Sequence, residues 1–310
     1  MKVVVYKPVH HNHDHRIYAN AVVDALRLFK ENLIVSANYK HLLREVLTGE
    51  KSVVIYAVPN KLNVFLLPLL CVNTQMQIVL MHDQKPHAGL MWLPTSIYNI
   101  IVRVFAWSIV FNKVIPFFSN KNLGQMSLGG LVDDDSLGGK IKSERAKRAI
   151  FFGRWKKYRG VDRLPEIIQL FNDYAVDFMV LSKGASKLIE SDYPNLVVVD
   201  KRYEQNELNE LLSKTMFAVF PYYTATQSGA IVEALSYGVK CLVQDLPELR
   251  SQLDGVNGVV FVDFSNALSL NDGISRLLSD ETDVDISQIE NLFSYKSLVR
   301  KFYTVFIDCL

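Results

Sequence analysis

The sequence has no run of about 18 uncharged apolar residues, the length a helix needs to cross a bilayer. The nearest stretch is 97–118, IYNIIVRVFAWSIVFNKVIPFF, and Arg103 and Lys113 interrupt it. It reads as a buried helix over 94–110 followed by a strand over 113–118, with a helix lying in the membrane interface as the alternative. Cysteine is scarce: Cys71, Cys241 and Cys309 are scattered along the chain, two of them in apolar runs. That excludes a disulfide frame and a cysteine-based metal site, and points to a reducing compartment with buried thiols. There is no low-complexity tract. The opening residues, MKVVVY, read as a first strand and not as a leader.

What is present is a globular composition, 49% apolar and 21% charged over 310 residues, enough for two domains of ordinary size. The formal charge of +2 hides an asymmetry. Residues 1–150 carry 18 Lys/Arg against 10 Asp/Glu, whereas residues 151–310 carry 16 against 22. A basic half suits an anionic partner such as lipid headgroups, a lipid diphosphate or nucleic acid; an ordinary solvated surface is the plain alternative. Nucleic acid fits least, because the basic residues are scattered and lack interleaved aromatics on one face.

Short β-branched runs alternate with helical spacings. Strands are expected near residues 2–6, 33–35, 52–57 and 77–81, with helices over 17–29, 41–47 and 62–70 between them and a polar turn over 10–14. This alternation predicts a parallel sheet covered by helices. The polar, glycine-containing stretch 133–147 reads as a boundary or surface loop. The alternation then restarts: strands near 149–153, 178–182, 196–200, 217–221, 240–244 and 258–262, with helices between them, one of them short over 187–191. A last amphipathic helix carries Leu298, Phe302, Val305 and Phe306 on one face. The expected architecture is α/β: two Rossmann-like doubly wound domains, 1–145 and 146–286, facing across a cleft, with 287–310 crossing back to the first.

One stretch organises the rest. Pro221–Gly238, PYYTATQSGAIVEALSYG, leaves an apolar strand, passes through a small-polar loop and enters a helix that Gly238 stops. Strand, glycine-containing loop, helix is the unit that aims backbone N–H groups at an anion. Here Gln227, Ser228 and Gly229 would take a phosphate, and Glu233, one turn in, would accept hydrogen bonds from sugar hydroxyls. The segment after the strand near 149–153, FFGRWKKYRGVDRLPEII, holds Gly153, Arg154 and Arg159. Two guanidiniums there would neutralise a diphosphate bidentately; a basic surface turn with Lys156 and Lys157 is the alternative.

These two segments resemble the phosphate-binding signature and the donor loop with its acidic helix in the retaining family 4 of GT-B glycosyltransferases. Phe293–Phe306, FSYKSLVRKFYTVF, resembles that family's closing segment, and His82–Gly89, HDQKPHAG, resembles a segment of a bacterial polysaccharide subgroup. Arg154 matches the family's Arg, and Arg159 stands where Lys is usual. The resemblance implies a nucleotide-diphosphate sugar donor, with Glu233 on the ribose and Arg202 and Tyr203 near the base. It implies His82 as a contact of the transferring sugar, with Asp83, His87, Ser119 and the loop of His10 and His11 on the acceptor side. It implies transfer with retention and without a metal or other cofactor. The acceptor would be a glycan or a lipid-diphosphate-linked glycan, met in the cytoplasm or at the inner face of the cytoplasmic membrane. His10, His11, His13, Asp14 and His15 do not have the spacing of a closed tetrahedral site. One departure stands out: the family commonly has two acids separated by seven residues, and the first position here is Ala225. It implies altered sugar recognition. The rival readings are a catalytically silent partner subunit and a sugar-nucleotide epimerase or phosphorylase. No paired carboxylates of the glycosidase kind are identifiable.

Overall fold

The computed structural model describes residues 2–8, 13–48, 50–57, 63–81, 92–111, 122–126, 145–187, 193–225 and 227–310. Contacts divide the chain into two compact units: Met1–Leu128 together with Tyr295–Leu310, and Gly129–Ser294.

In the first unit the elements run β1 (Lys2–Tyr6), α1 (His13–Arg27), β2 (Leu33–Ser36), α2 (Tyr39–Leu47), β3 (Ser52–Tyr56), α3 (Asn63–Leu70), β4 (Thr74–Met81), α4 (Trp92–Phe105), β5 (Trp107–Phe111) and β6 (Asn122–Met126). The strands pair in parallel in the order β2-β1-β3-β4-β5-β6. Both faces of the sheet are covered, so its strands read as continuous apolar runs. The period-two alternation divides them: Val3, Val5, Val53 and Ile55 point into one apolar cluster, and Val4, Tyr6, Val54 and Tyr56 into another. The first cluster is closed by α1 and by the last helix of the chain, from which Leu298, Phe302 and Phe306 enter fully buried or nearly so. The second is closed by α2, α3 and α4.

Three expectations change here. The helix expected over 94–110 ends at Phe105, and Trp107–Phe111 is a strand beside β4, with Ile78 opposite Trp107. The Ala106 N–H closes the helix on the Val102 carbonyl, 2.8 Å away. The aromatic and β-branched run WSIVF then gains a ladder partner that a helix would deny it. The expected turn over 10–14 gives way to helix from His13 onward. Cys71 is exposed, against the expectation of buried thiols; Cys241 is buried, which pushes its thiol well up. The strand expected over 113–118 and most of the short helix expected over 187–191 lie outside the described residues.

The second unit runs β7 (Ala146–Phe152), α5 (Leu164–Asp173), β8 (Asp177–Leu181), β9 (Leu196–Val199), α6 (Gln205–Ser213), β10 (Thr215–Phe220), α7 (Gly229–Ser236), β11 (Lys240–Gln244), α8 (Pro247–Leu253), β12 (Val259–Val262), α9 (Ala267–Ser279) and α10 (Ile286–Phe293). The strands are again parallel, in the order β12-β11-β10-β7-β8-β9. The chain steps outward from β7 through β8 to β9, then returns to β10 on the other side of β7. Strand order reverses between β7 and β10, and a sheet of this kind opens a crevice at that point, outside the carboxyl ends of the two strands. The last helix, α11 (Tyr295–Cys309), belongs to the first unit, where the Tyr295 hydroxyl donates to Asp24 on α1 at 2.5 Å.

Candidate functional site

The loops that leave β7 and β10 meet at this reversal. After β7 the chain turns at Gly153 with φ +116 and continues through two short 3-10 turns, Lys157–Arg159 and Val161–Arg163, on either side of Gly160. Gly153 is held by its neighbours: its N–H reaches the Leu181 carbonyl at 3.3 Å, and the Ser182 hydroxyl donates to its carbonyl at 2.6 Å. The loop after β10 is fastened to the same turns. The Tyr223 N–H donates to the Tyr158 carbonyl at 2.8 Å, the Tyr223 hydroxyl donates to Asp162 at 2.9 Å, and the Arg163 guanidinium lies 4.0 Å from the centre of the Tyr223 ring.

Arg159 points back along its own loop. One of its terminal nitrogens donates to the Phe152 carbonyl at 3.1 Å, and its guanidinium carbon lies 5.3 Å from the centre of the buried Tyr222 ring. Burial is the largest influence on the guanidinium and works against its charge; the neighbouring hydroxyls of Tyr222, Tyr158 and Tyr203 more than offset it, and the group stays cationic. Its Nε is buried with no hydrogen-bond partner among the described residues, and so is the side-chain oxygen of Gln227. A buried donor and a buried acceptor left open in this way are the atoms a polar ligand would satisfy.

Ser228 caps α7: its backbone is extended at φ −139, and its hydroxyl accepts from the Ile231 N–H at 3.4 Å. The Tyr222 and Ser228 hydroxyls lie 3.2 Å apart. The backbone of Ser228 is gripped by Gln252 on α8, which accepts from its N–H at 2.9 Å and donates to its carbonyl at 3.4 Å. The Ser228 N–H expected to face a phosphate is therefore already spent. Gly229 is the open member of the pair: it is exposed, and nothing lies within 4 Å of where a Cβ would stand.

One turn further on, Glu233 accepts from the Gln205 side chain at the start of α6. Tyr203 marks the middle of the group. Burial raises its hydroxyl most, Glu233 raises it further, and Arg159 and Arg154 pull it back. Arg154, Arg159, Tyr203 and Glu233 thus lie within electrostatic reach of one point. Arg202, expected beside Tyr203, is exposed. His10, His11, His82, Asp83, His87 and Ser119 lie outside the described residues, and the side chains of His13, Asp14 and His15 are not described either.

Sequence reasoning missed Tyr222, Gln205 and Gln252. A signal for the last was present: Gln252 is polar, yet it sits three residues after Leu249 and one before Leu253, on the buried side of a short helix. A polar residue there must have a partner inside.

The family described as glycosyl transferases group 1 matches residues 146–280, which is most of the second unit. No curated protein matches the sequence. Among solved structures, Anabaena HepE in complex with UDP and glucose is similar over 100% of both chains, with 10% identity and a TM-score of 0.63. The sucrose-phosphate synthase of Thermosynechococcus elongatus is similar over 99% of this chain and 98% of that one, with 11% identity and a TM-score of 0.63. The GtfA/B complex is similar over 87% of this chain, with 13% identity and a TM-score of 0.58; there the present chain spans only 59% of its counterpart. Likeness at these identities establishes the fold: an α/β chain with two parallel-sheet domains, as in GT-B glycosyltransferases. The family match covers less than half of the chain, within the second unit.

Proposed function

We propose that this chain is a retaining glycosyltransferase that moves a sugar from a nucleotide-diphosphate donor to a glycan or lipid-linked glycan in surface polysaccharide synthesis. The observation that carries the reading is the convergence of Arg154, Arg159, Glu233 and the Gly229 end of α7 where strand order reverses. In this reading Arg154 and Arg159 neutralise the departing diphosphate, whose charge grows as the glycosidic bond breaks. Positive groups already fixed at that position act on the transition state more than on the ground state. The Gly229 N–H and the positive end of α7 add to them. Glu233 accepts from the ribose hydroxyls, steadied by Gln205. The UDP and glucose held by the Anabaena relative support a nucleotide diphosphate and a sugar as the ligand classes. In this reading no metal is needed, because Arg154 and Arg159 supply the countercharge.

Ala225 packs against the apolar cluster under the loop. A shorter, uncharged side chain there leaves donor-sugar recognition to other groups, and the buried acceptor of Gln227 is the one at hand.

A nucleotide panel tests the donor site. The wild type should be stabilised by one nucleotide diphosphate, by about 2.7 kcal/mol at a hundred times the dissociation constant. Glu233→Ala should weaken that affinity about tenfold, as expected when a charged hydrogen-bond acceptor is removed. Equal affinity in the mutant would remove Glu233 from the site.

A membrane-borne acceptor is favoured by one surface of the first unit. Phe65 and Leu69 on α3, Val72 just after it, and Ile97, Ile100 and Val104 on α4 are all exposed. Neither helix contains an acidic residue, and the unit as a whole carries 16 Lys/Arg against 7 Asp/Glu. Apolar side chains within a basic unit suit an anionic lipid surface. The chain should float with vesicles containing anionic lipid, less so as salt rises, and Phe65→Asp with Ile100→Asp should reduce flotation several-fold. Flotation unchanged by the double substitution would place the contact elsewhere. Among the described residues no helix is long and apolar enough to cross a membrane.

A further inference from the structure

We propose that Tyr222 and Gln252 are positioning residues that join the two halves of the diphosphate cradle, the Arg159 loop and the start of α7, into one rigid piece. The inference rests on the reading of the second unit as a nucleotide-diphosphate site and names the parts that hold that site in shape.

The connection is continuous and buried. The Arg159 guanidinium stacks near the Tyr222 ring, 5.3 Å from its centre. The Tyr222 hydroxyl meets the Ser228 hydroxyl at 3.2 Å, and Gln252 holds the Ser228 N–H at 2.9 Å and its carbonyl at 3.4 Å. Tyr222, Ser228 and Gln252 are 2%, 5% and 4% exposed, so water does not compete for these bonds. The cation comes from the loop after β7, the ring from the loop after β10, and the amide from α8.

The pairing also decides which backbone groups face a ligand. A backbone N–H at a helix start serves an anion only if it points outward. Gln252 turns the Ser228 N–H inward and satisfies it, and by holding the Ser228 carbonyl, which shares a peptide plane with the Gly229 N–H and points the opposite way, it leaves the Gly229 N–H at the open end of α7. Gln is the side chain for this task because it offers an acceptor and a donor to the two groups of one residue. Glu would match the N–H and repel the carbonyl; Met would match neither.

The test is calorimetric titration of the full chain with UDP, GDP, ADP and dTDP, beside thermal unfolding of the nucleotide-free protein. The variants are Gln252→Met, Gln252→Glu, Tyr222→Phe and Tyr222→Phe combined with Gln252→Met. For the nucleotide the wild type prefers, Gln252→Met should bind about tenfold more weakly and Tyr222→Phe about fivefold, each being the loss of one or two buried hydrogen bonds. The combined variant should be only about tenfold weaker and not about fiftyfold, because both substitutions break the same connection. Gln252→Glu should bind at least as weakly as Gln252→Met, since its carboxylate also repels a diphosphate. A purely structural role would lower the unfolding temperature and leave the affinity of the folded fraction intact. Wild-type affinity in Gln252→Met and Tyr222→Phe, or effects that simply multiply, would overturn the inference while the donor site stood. Failure of the wild type to bind any of the four would overturn the reading beneath it, and the inference with it.

Discussion

Arg159→Ala is expected to lower sugar transfer about 10²–10³-fold, the loss typical of removing one fixed group that meets developing negative charge. The fall should appear in kcat more than in KM, because the charge on the diphosphate peaks as the bond to the sugar breaks. Initial rates of nucleotide diphosphate release measure it. Gly153→Ala should reproduce much of the effect without touching the arginine. A Cβ at Gly153 would stand 2.0 Å from an Arg159 terminal nitrogen and 2.9 Å from its central carbon, and the backbone there has φ +116. The guanidinium would have to leave the Phe152 carbonyl and the Tyr222 ring. Arg159→Lys should recover part of the activity, since it keeps the charge and loses the planar fork. Activity of Arg159→Ala within tenfold of wild type would mean the diphosphate is held elsewhere.

Gly160→Ala is expected to destabilise the second unit by about 3 kcal/mol, combining left-handed backbone strain with overpacking. Gly160 has φ +71, and a Cβ on it would lie 1.8 Å from the Pro221 carbonyl oxygen. That carbonyl is backbone, already accepts from Arg163 at 3.2 Å, and cannot swing aside as a side chain would. The substitution should part the two loops on which the site is built. A denaturant series that follows the second unit's transition reads the loss as a lower midpoint. An unmoved midpoint would mean that the loops separate freely and that the close approach at Gly160 carries no stability.

The fold was legible where physical signals agree. β1 and β3 are short β-branched runs set between helical spacings, and Gly238, at φ +70, ends α7 where the sequence places a stop. The residues from Trp107 to Phe111 were not legible, because a run in which only Ser108 is polar fits a buried strand and a buried helix alike. Only the ladder with β4 decides between them. In the proposed site, the sequence marks Arg159 and Glu233 as charges, and the fold brings both within electrostatic reach of Tyr203. The pairing of Ser228 with Gln252 was not legible. It joins residues 24 apart through backbone groups that carry no side-chain signature, so the loss of the Ser228 N–H to the interior is a fact of three dimensions alone.

The last helix has a bearing on how the chain is made. Leu298, Phe302 and Phe306 complete the apolar cluster over α1, with Phe302 and Phe306 stacked 5.9 Å apart. In order of synthesis, the second unit is complete at Ser294, while the first still waits for the side chains that seal one side of its sheet. Until α11 has been made, the later unit has all its parts and the earlier one does not. The apolar surface that α11 covers is one that a chaperone would shield until α11 emerges.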